Sequence, residues 1–325
     1  MPTKRPATTY RSVFIDAFRV AWERKTLWVF GLFAALLSTG GAYEMTGRSF
    51  RHLTMARHIF IEMARGTFTG AETFGQFVQQ GIAWDHSRMT VYASLFLGFS
   101  IVALIASVVS QGALIQGVGK RIVADADAAT AGREAFWHLL WLNLLHKAAH
   151  LLLILFSSIP MYLLVAHRND AAATVAMLTF CVMFPLTVAV SVIFMLSSVH
   201  TVRTKSHSLD AVHHALTIFR THWLATFETG VILLGAVMLA AFGFLTSVAV
   251  ASIPFAVAIA VALLSGSQIA FLFVNILGAT MLALLAFAFA GWVTTFHYAV
   301  WVRFYELANV RGNTISKVHR IWKGR

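Results

Sequence analysis

The sequence predicts an all-α fold, a polytopic transmembrane helix bundle with six spans arranged as three hairpins, each preceded by a cytoplasmic amphipathic helix. Three observations lead to this prediction. The 325 residues are 58% hydrophobic and 12% charged, with a mean hydropathy of +0.74, whereas a soluble domain carries about 25% charged residues. The apolar residues form long runs, unlike the short alternating segments of an outer-membrane barrel. Positive charge is concentrated beside these runs, as it is at the cytoplasmic ends of membrane helices.

Six runs are long enough to cross a bilayer, which takes about 20 mostly apolar residues. They are Thr26–Tyr43, Thr90–Val118, Leu140–Ala166, Ala173–His200, Trp223–Ala251 and Gln268–Val302. The last third is the most ambiguous part, because no Asp, Glu, Lys or Arg occurs between Glu228 and Arg303. Within it, we expect Ile253–Leu264 to form a re-entrant or interfacial turn, or the end of an overlong helix.

The charge distribution places both termini in the cytoplasm. In this topology 19 of the 25 basic residues lie on the inner side of the membrane and six lie outside, as the positive-inside rule requires. The chain is then one membrane domain with five parts: an interfacial helix at 1–25, a first hairpin at 26–118 with an outer loop at 44–89, a second hairpin with its preceding helix at 119–200, a third at 201–302, and a basic tail at 303–325. This layout predicts a multi-pass protein of a bacterial inner (plasma) membrane.

The formal net charge of +12 does not require a nucleic-acid partner, because the basic residues flank the spans. The expected partners are membrane lipids, mainly anionic ones, and a membrane-protein partner stays open. Apolar residues recur at helical spacing in the leader, which predicts a helix lying on the cytoplasmic leaflet. Its predicted lipid contacts are Arg11, Arg19, Trp22, Arg24, Lys25 and Trp28. A cleaved secretory signal is the less favoured alternative, because the leader is long and amphipathic.

The amphipathic segment is expected to occur three times. An acid followed by Ala and an apolar residue starts each copy, at Asp16, Glu134 and Asp210, and each copy leads into a span. The matching topology favours an internal repeat over coincidence, although carboxylates are common in the first turn of any helix. The outer loop contains two further short amphipathic patterns, which would lie flat on the membrane or cap the bundle.

Ionisable groups inside spans are costly and are therefore candidate functional groups. Glu228, His200 and His297 are such groups, and a Glu with two His side chains can bind a metal or carry a proton. We favour the alternative that they are polar anchors at the membrane interface. His146 and His150 share a helix face, but Lys147 would repel a cation there. The sequence therefore predicts no metal site, no cofactor and no catalytic residue.

Three prolines interrupt predicted spans and are candidate hinges: Pro160, Pro185 and Pro254. A proline frees a backbone carbonyl and bends a helix, and broken helices line the sites of many transporters. Static kinks are equally common in membrane helices. The single cysteine, Cys181, excludes an internal disulfide and is expected to have a packing role.

Three segments suggest a family. They are DAFRVAWERKTLWVFGLFAALL at 16–37, GALI at 112–115 and REAF at 133–136. With them the chain resembles bacterial six-span integral membrane proteins of unknown function, which are similar to the membrane domain attached to some glycerophosphodiester phosphodiesterases. This chain has no phosphodiesterase domain, so the resemblance implies a membrane fold without that activity and without catalytic residues.

The expected function is that of a non-enzymatic bacterial inner-membrane protein that binds lipid or a protein partner and assists envelope assembly or export. Two alternatives stay open. One is a small-molecule or lipid transporter, with a polar cavity between kinked spans and Glu228 as a coupling group. The other is an interfacial lipid-modifying enzyme, which would need polar groups such as Glu228 and His297 to converge in one pocket.

Overall fold

The computed structural model describes residues 10–38, 86–119, 125–167 and 170–309. These parts of the chain are almost entirely helical and contain no strand. The helices are α1 Tyr10–Glu23, α2 Thr26–Ser38, α3 His86–Gly119, α4 Asp125–Glu134, α5 Phe136–His167, α6 Asp170–Thr204, α7 Ser208–Thr221, α8 Trp223–Leu264 and α9 Gln268–Ala308. Most of the predicted outer loop and of the basic tail lies outside the described residues.

Five helices are long and apolar enough to cross a membrane. The qualifying stretches are Thr90–Gly119, Phe136–Pro160, Met177–Thr204, Trp223–Leu264 and Gln268–Ala308. The chain is therefore a membrane protein. The first predicted span starts at α2, which ends after 13 residues at Ser38, the last described residue of that stretch. The count of six spans and their arrangement as hairpins stay predictions.

The segment Ile253–Leu264 belongs to α8, which runs unbroken through Pro254 for 42 residues. Of the three forms expected for it, the overlong helix is the one observed, and the re-entrant and interfacial turns are wrong. The physical reason is that the segment is uncharged and free of glycine, so that backbone hydrogen bonds continue until the chain reaches Ser265 and Gly266. Gly266 has a φ of 64°, a left-handed conformation that glycine adopts without strain and that commonly ends a helix.

Three short helices each lead into the next helix after a short break. The pairs are α1 with α2, α4 with α5, and α7 with α8, and the breaks begin at Arg24, Ala135 and His222, the first of them also including Lys25. The three breaks share one backbone hydrogen bond, and at the first of them the Arg24 N–H donates to the Val20 carbonyl at 3.1 Å. The Ala135 N–H donates to the Ala131 carbonyl at 3.1 Å, and the His222 N–H donates to the Ile218 carbonyl at 2.9 Å. Each helix is thus interrupted while the amide of the break residue stays hydrogen-bonded.

Aligning the three pairs on their breaks reveals a shared burial pattern. Seven residues before each break lies a fully buried alanine: Ala17, Ala128 and Ala215. Seven residues after each break lies another buried residue: Gly31, Leu142 and Thr229. This agreement supports an internal repeat of helix, break and span.

The acidic tripeptides do not mark equivalent positions in this repeat. Asp16 lies in the middle of α1, Glu134 is the last residue of α4, and Asp210 is in the first turn of α7. The predicted register was therefore wrong. Exposed acids are not constrained by packing, whereas the small residues that face a neighbouring helix are.

The described chain separates into two compact units. The first contains residues up to 35 together with 108–142 and 192 onward. Its core consists of the small buried faces of the short helices and the C-terminal ends of α3, α6 and α9, which we call the return helices. The largest fully buried side chains here are Phe304, Leu27, Leu114, Ile115, Leu139, Leu142, Leu196, Val108, Val118, Val199, Val293 and Val300.

The second unit contains residues 36–107 and 143–191 and exposes long apolar faces. Cys181 is exposed there, so the expected packing role inside the protein was wrong. His150 hydrogen-bonds the Ser191 hydroxyl at 3.2 Å and the His146 carbonyl at 3.1 Å. The polar His150 side chain on this face of α5 therefore forms its hydrogen bonds within the second unit.

Two glycines let α2 cross α9 at close range. A Cβ atom at Gly31 would overlap the Gly291 carbonyl, and one at Gly291 would overlap the Trp28 carbonyl. The Thr295 hydroxyl bridges the helices, lying 3.1 Å from the Leu27 carbonyl. Membrane helices associate through such close backbone approach, because lipid provides little hydrophobic driving force.

We predict that Gly291→Ala destabilises the protein, because the added methyl group overlaps a backbone carbonyl that cannot move aside. Overpacking of this kind costs about 1–3 kcal/mol. The measurement is the midpoint of thermal denaturation in detergent. Gly235→Ala is the matched control, since nothing lies within 4 Å of a Cβ atom at that position and alanine favours a helix over glycine. Equal midpoints for the two variants would contradict the observed crossing.

Candidate functional site

The first unit buries a group of polar side chains where the three return helices meet. Gln111 of α3, Ser198 of α6 and Tyr298 of α9 are each almost fully buried. The Gln111 amide donates to the Ser198 hydroxyl at 3.5 Å and is also hydrogen-bonded to Tyr298. Polar groups buried in a medium of low dielectric constant need such partners. One side chain from each return helix therefore contributes to a single network.

A charged cluster lies near the ends of the same helices. Glu306 of α9 pairs through one carboxylate oxygen with Arg203 of α6 at 2.5 Å, and through the other with Arg303 at 2.8 Å. The Arg203 guanidinium also lies against Gly119, the last residue of α3, and occupies the space that a Cβ atom there would need. Arg203 thus links the ends of all three return helices, and we call Arg203, Glu306 and Arg303 the ionic clasp.

A surface depression adjoins the ionic clasp. Ser12, Val13 and Asp16 of α1 line one side, and Arg303, Glu306 and Leu307 of α9 line the other. This contact brings the first short helix against the end of the last return helix. The depression offers both a guanidinium and carboxylates to a ligand. In the described ranges, no group of three or more His, Cys, Asp or Glu side chains is placed to hold a metal ion.

A chain of hydrogen bonds joins two histidines beside the ionic clasp. Tyr305 Oη lies 2.7 Å from His200 Nδ1 and 3.1 Å from Asn309 Nδ2. Asn309 Oδ1 lies 3.2 Å from His214 Nε2. The two imidazole rings have centroids 4.2 Å apart. These four side chains connect α7 to the ends of α6 and α9, and we call them the histidine chain.

Among the three predicted ionisable candidates, His200 and His297 take part in different hydrogen bonds. His200 belongs to the histidine chain, whereas His297 accepts a hydrogen bond from Trp301 Nε1 at 3.2 Å. Glu228 is half-buried on α8, six residues after the break at His222. Burial lowers the pKa of His222 itself, because removal from water disfavours the imidazolium form.

The three predicted hinges lie inside continuous helices. Pro185 and Pro254 are exposed on the surfaces of α6 and α8, and Pro160 is half-buried on α5. None of them lines the depression beside the ionic clasp.

Two of the predicted lipid contacts are engaged by the protein. Arg24 Nη1 donates to the Gly117 carbonyl of α3 at 2.6 Å, and Trp28 Nε1 donates to the Ala21 carbonyl at 2.6 Å. Both side chains thus satisfy backbone carbonyls of the protein, and their contact with lipid stays a prediction. Arg19, Trp22 and Lys25 are exposed as expected. The Arg11 side chain lies outside the described residues.

Sequence reasoning missed the ionic clasp and most of the histidine chain. One signal was available: Arg303 and Glu306 are the first charges after 74 uncharged residues and lie three apart, on one helix face. Nothing in the sequence pairs them with Arg203, which lies about 100 positions earlier.

Comparison with known proteins adds no relative. No family model matches the chain, and no curated protein and no solved structure matches it significantly.

We predict that Arg203→Ala destabilises the protein by about 1–3 kcal/mol, the usual cost of leaving a partly buried partner without its hydrogen bond. Arg203 and Glu306 are 19% and 34% exposed, so solvent screens them only in part. The readout is the denaturation midpoint in detergent.

Lys205→Ala is the matched control, two residues away. It removes an ion pair with Glu134 in which the side chains are 79% and 53% exposed, and such pairs contribute about 0–1 kcal/mol. A loss of stability for Lys205→Ala as large as that for Arg203→Ala would show that the ionic clasp has no special role.

Proposed function

We propose that this chain is a non-enzymatic bacterial inner-membrane protein, with both termini in the cytoplasm, that binds anionic phospholipid through its three short helices. A lipid-binding platform of this kind would assist envelope assembly or export. The resemblance to bacterial six-span membrane proteins of unknown function agrees with this proposal. Two of its three segments, 16–37 and 112–115, contribute buried residues to the first unit, among them Ala17, Leu27, Ala113 and Leu114.

One observation supports lipid binding most directly. An exposed tryptophan lies next to each break: Trp22, Trp137 and Trp223 are 57%, 74% and 61% exposed. An exposed cation lies within four residues of each of them, namely Lys25, Arg133 and Arg220. Tryptophan prefers the headgroup level of a membrane, and basic side chains there attract anionic lipid.

The two faces of α1 support the same proposal. Its small residues Val13, Ala17 and Ala21 are buried in the protein, while Ile15, Phe18 and Trp22 remain exposed. The predicted apolar stripe is thus divided, with the small side chains packed on protein and the large ones available to lipid. Phe18 and Trp22 stack 6.1 Å apart and both contact Trp292 of α9, which gives a rigid aromatic surface.

We predict that the protein associates more strongly with phosphatidylglycerol than with phosphatidylcholine, and that Arg19→Gln with Lys25→Gln weakens this preference. Each basic side chain near an anionic surface contributes about 1 kcal/mol, so the double variant should lose the part of the preference that the first short helix supplies. The measurement is tryptophan quenching by brominated lipid of each headgroup in reconstituted vesicles.

Glu23→Gln is the matched control on the same exposed face of α1. It removes a negative charge, so it should strengthen the preference, and 0.5 M salt should weaken the preference in all variants. Equal quenching by the two lipids in the parent protein, or identical behaviour of the two substitutions, would refute the proposal.

We predict a cytoplasmic C-terminus. Alkaline phosphatase, which is active only outside the cytoplasm, should be inactive when it is fused after Arg325. It should be active when it is fused after Ser265, at the turn between α8 and α9. The opposite pattern would invert the proposed topology.

A further inference from the structure

The histidine chain joins α7 to two return helices through side chains of defined hydrogen-bonding capacity. The Asn309 amide uses its oxygen toward His214 and its nitrogen toward Tyr305, and the tyrosine hydroxyl faces His200. Three links in series therefore run from one imidazole to the other. The two rings lie 4.2 Å apart between centroids.

The direction of the chain limits its protonation. When His214 donates to Asn309, Asn309 donates to Tyr305 and Tyr305 donates to His200 Nδ1, so His200 must carry a lone pair there. When the amide is rotated and the chain runs the other way, His214 Nε2 must accept instead. In either direction one imidazole is neutral. Two imidazolium rings fit only if Tyr305 accepts from both neighbours, and this leaves the proton of the buried Tyr305 hydroxyl without an acceptor in the chain and two like charges on rings 4.2 Å apart. The closed chain therefore favours at most one imidazolium.

Charged and titratable groups of neighbouring elements lie around the pair. Asp210 of α7 lies close enough to His200 to interact with it electrostatically, as His214 does. Arg203 of α6 lies near Tyr305 of α9, with its charge balanced by Glu306. At the N-terminal end of α7, the His207 ring lies 5.6 Å from that of His138, and the Ser208 hydroxyl donates to the His138 carbonyl at 3.1 Å.

We propose that the histidine chain is a proton-operated latch, which holds α7 against α6 and α9 when at least one of its histidines is neutral and releases α7 when both are protonated. The latched state binds at most one proton on the pair, and the released state binds two. Acid therefore favours release. The latch does not depend on lipid binding, so either proposal can fail alone.

The test is hydrogen exchange with mass spectrometry on the full-length protein in detergent at pH 7.5 and pH 5.5, corrected for the intrinsic pH dependence of exchange. Histidine ordinarily titrates near pH 6.5, so an additional proton in the released state should lower the protection of peptides from 208–221 by about tenfold at pH 5.5. Peptides from 108–118, in the core of the first unit, should keep their protection.

Two glutamine variants identify the responsible group. In His214→Gln, α7 should lose its pH dependence, while in His213→Gln, which changes the exposed neighbour, the dependence should persist. Tyr305→Phe, which interrupts the chain without altering either histidine, should also abolish the dependence and covers the case in which His214→Gln does not fold. Unchanged protection of α7 in the parent protein, or a pH dependence that survives in both His214→Gln and Tyr305→Phe, would overturn the latch.

Discussion

Backbone amides that enter a hydrocarbon layer have no water to bind, so each must be hydrogen-bonded within the protein. This constraint explains why the described chain is built from long helices, and why α8 passes through Pro254 without ending. The helices are interrupted at Arg24, Ala135 and His222, where exposed tryptophans and basic residues are concentrated. Even there, the backbone N–H of the break residue stays bonded to a carbonyl four residues earlier.

Close packing of these helices depends on small residues, glycine and alanine. Gly31 and Gly291 bring α2 and α9 together, and Gly112 of α3 faces Gly132 of α4, where a Cβ atom would lie 2.8 Å from the Gly132 Cα. The buried alanines Ala128 and Ala215 serve the same end in the second and third repeats. Since apolar side chains gain little by leaving lipid, the contact area made possible by small residues is what holds such helices together.

The polar groups of the first unit are concentrated toward the ends of the return helices. Gln111, Ser198 and Tyr298 share hydrogen bonds in the core, and the ionic clasp lies farther along the same helices. Charges nearer to water cost less to bury, so this order follows from solvation. It also places Arg203 and the histidine chain toward the ends of these helices, nearer to water than the Gln111 network.

Composition and hydropathy were sufficient to predict the all-helical fold and five helices long and apolar enough to cross a membrane, because each follows from the local distribution of apolar residues. Apolar spacing also predicted α1 and α7, whereas α4 has no large apolar side chain and was not predicted at 125–134. The register of the repeat was mispredicted, because exposed acids such as Glu134 carry no packing information. Arg24 and Trp28 were predicted to contact lipid because their type suits an interface, but residue type could not predict that they also donate to the carbonyls of Gly117 and Ala21. Only the tertiary structure could bring Arg203 to Glu306, or His200 to His214, because hydropathy depends on neighbours along one helix, and these partners meet across different helices.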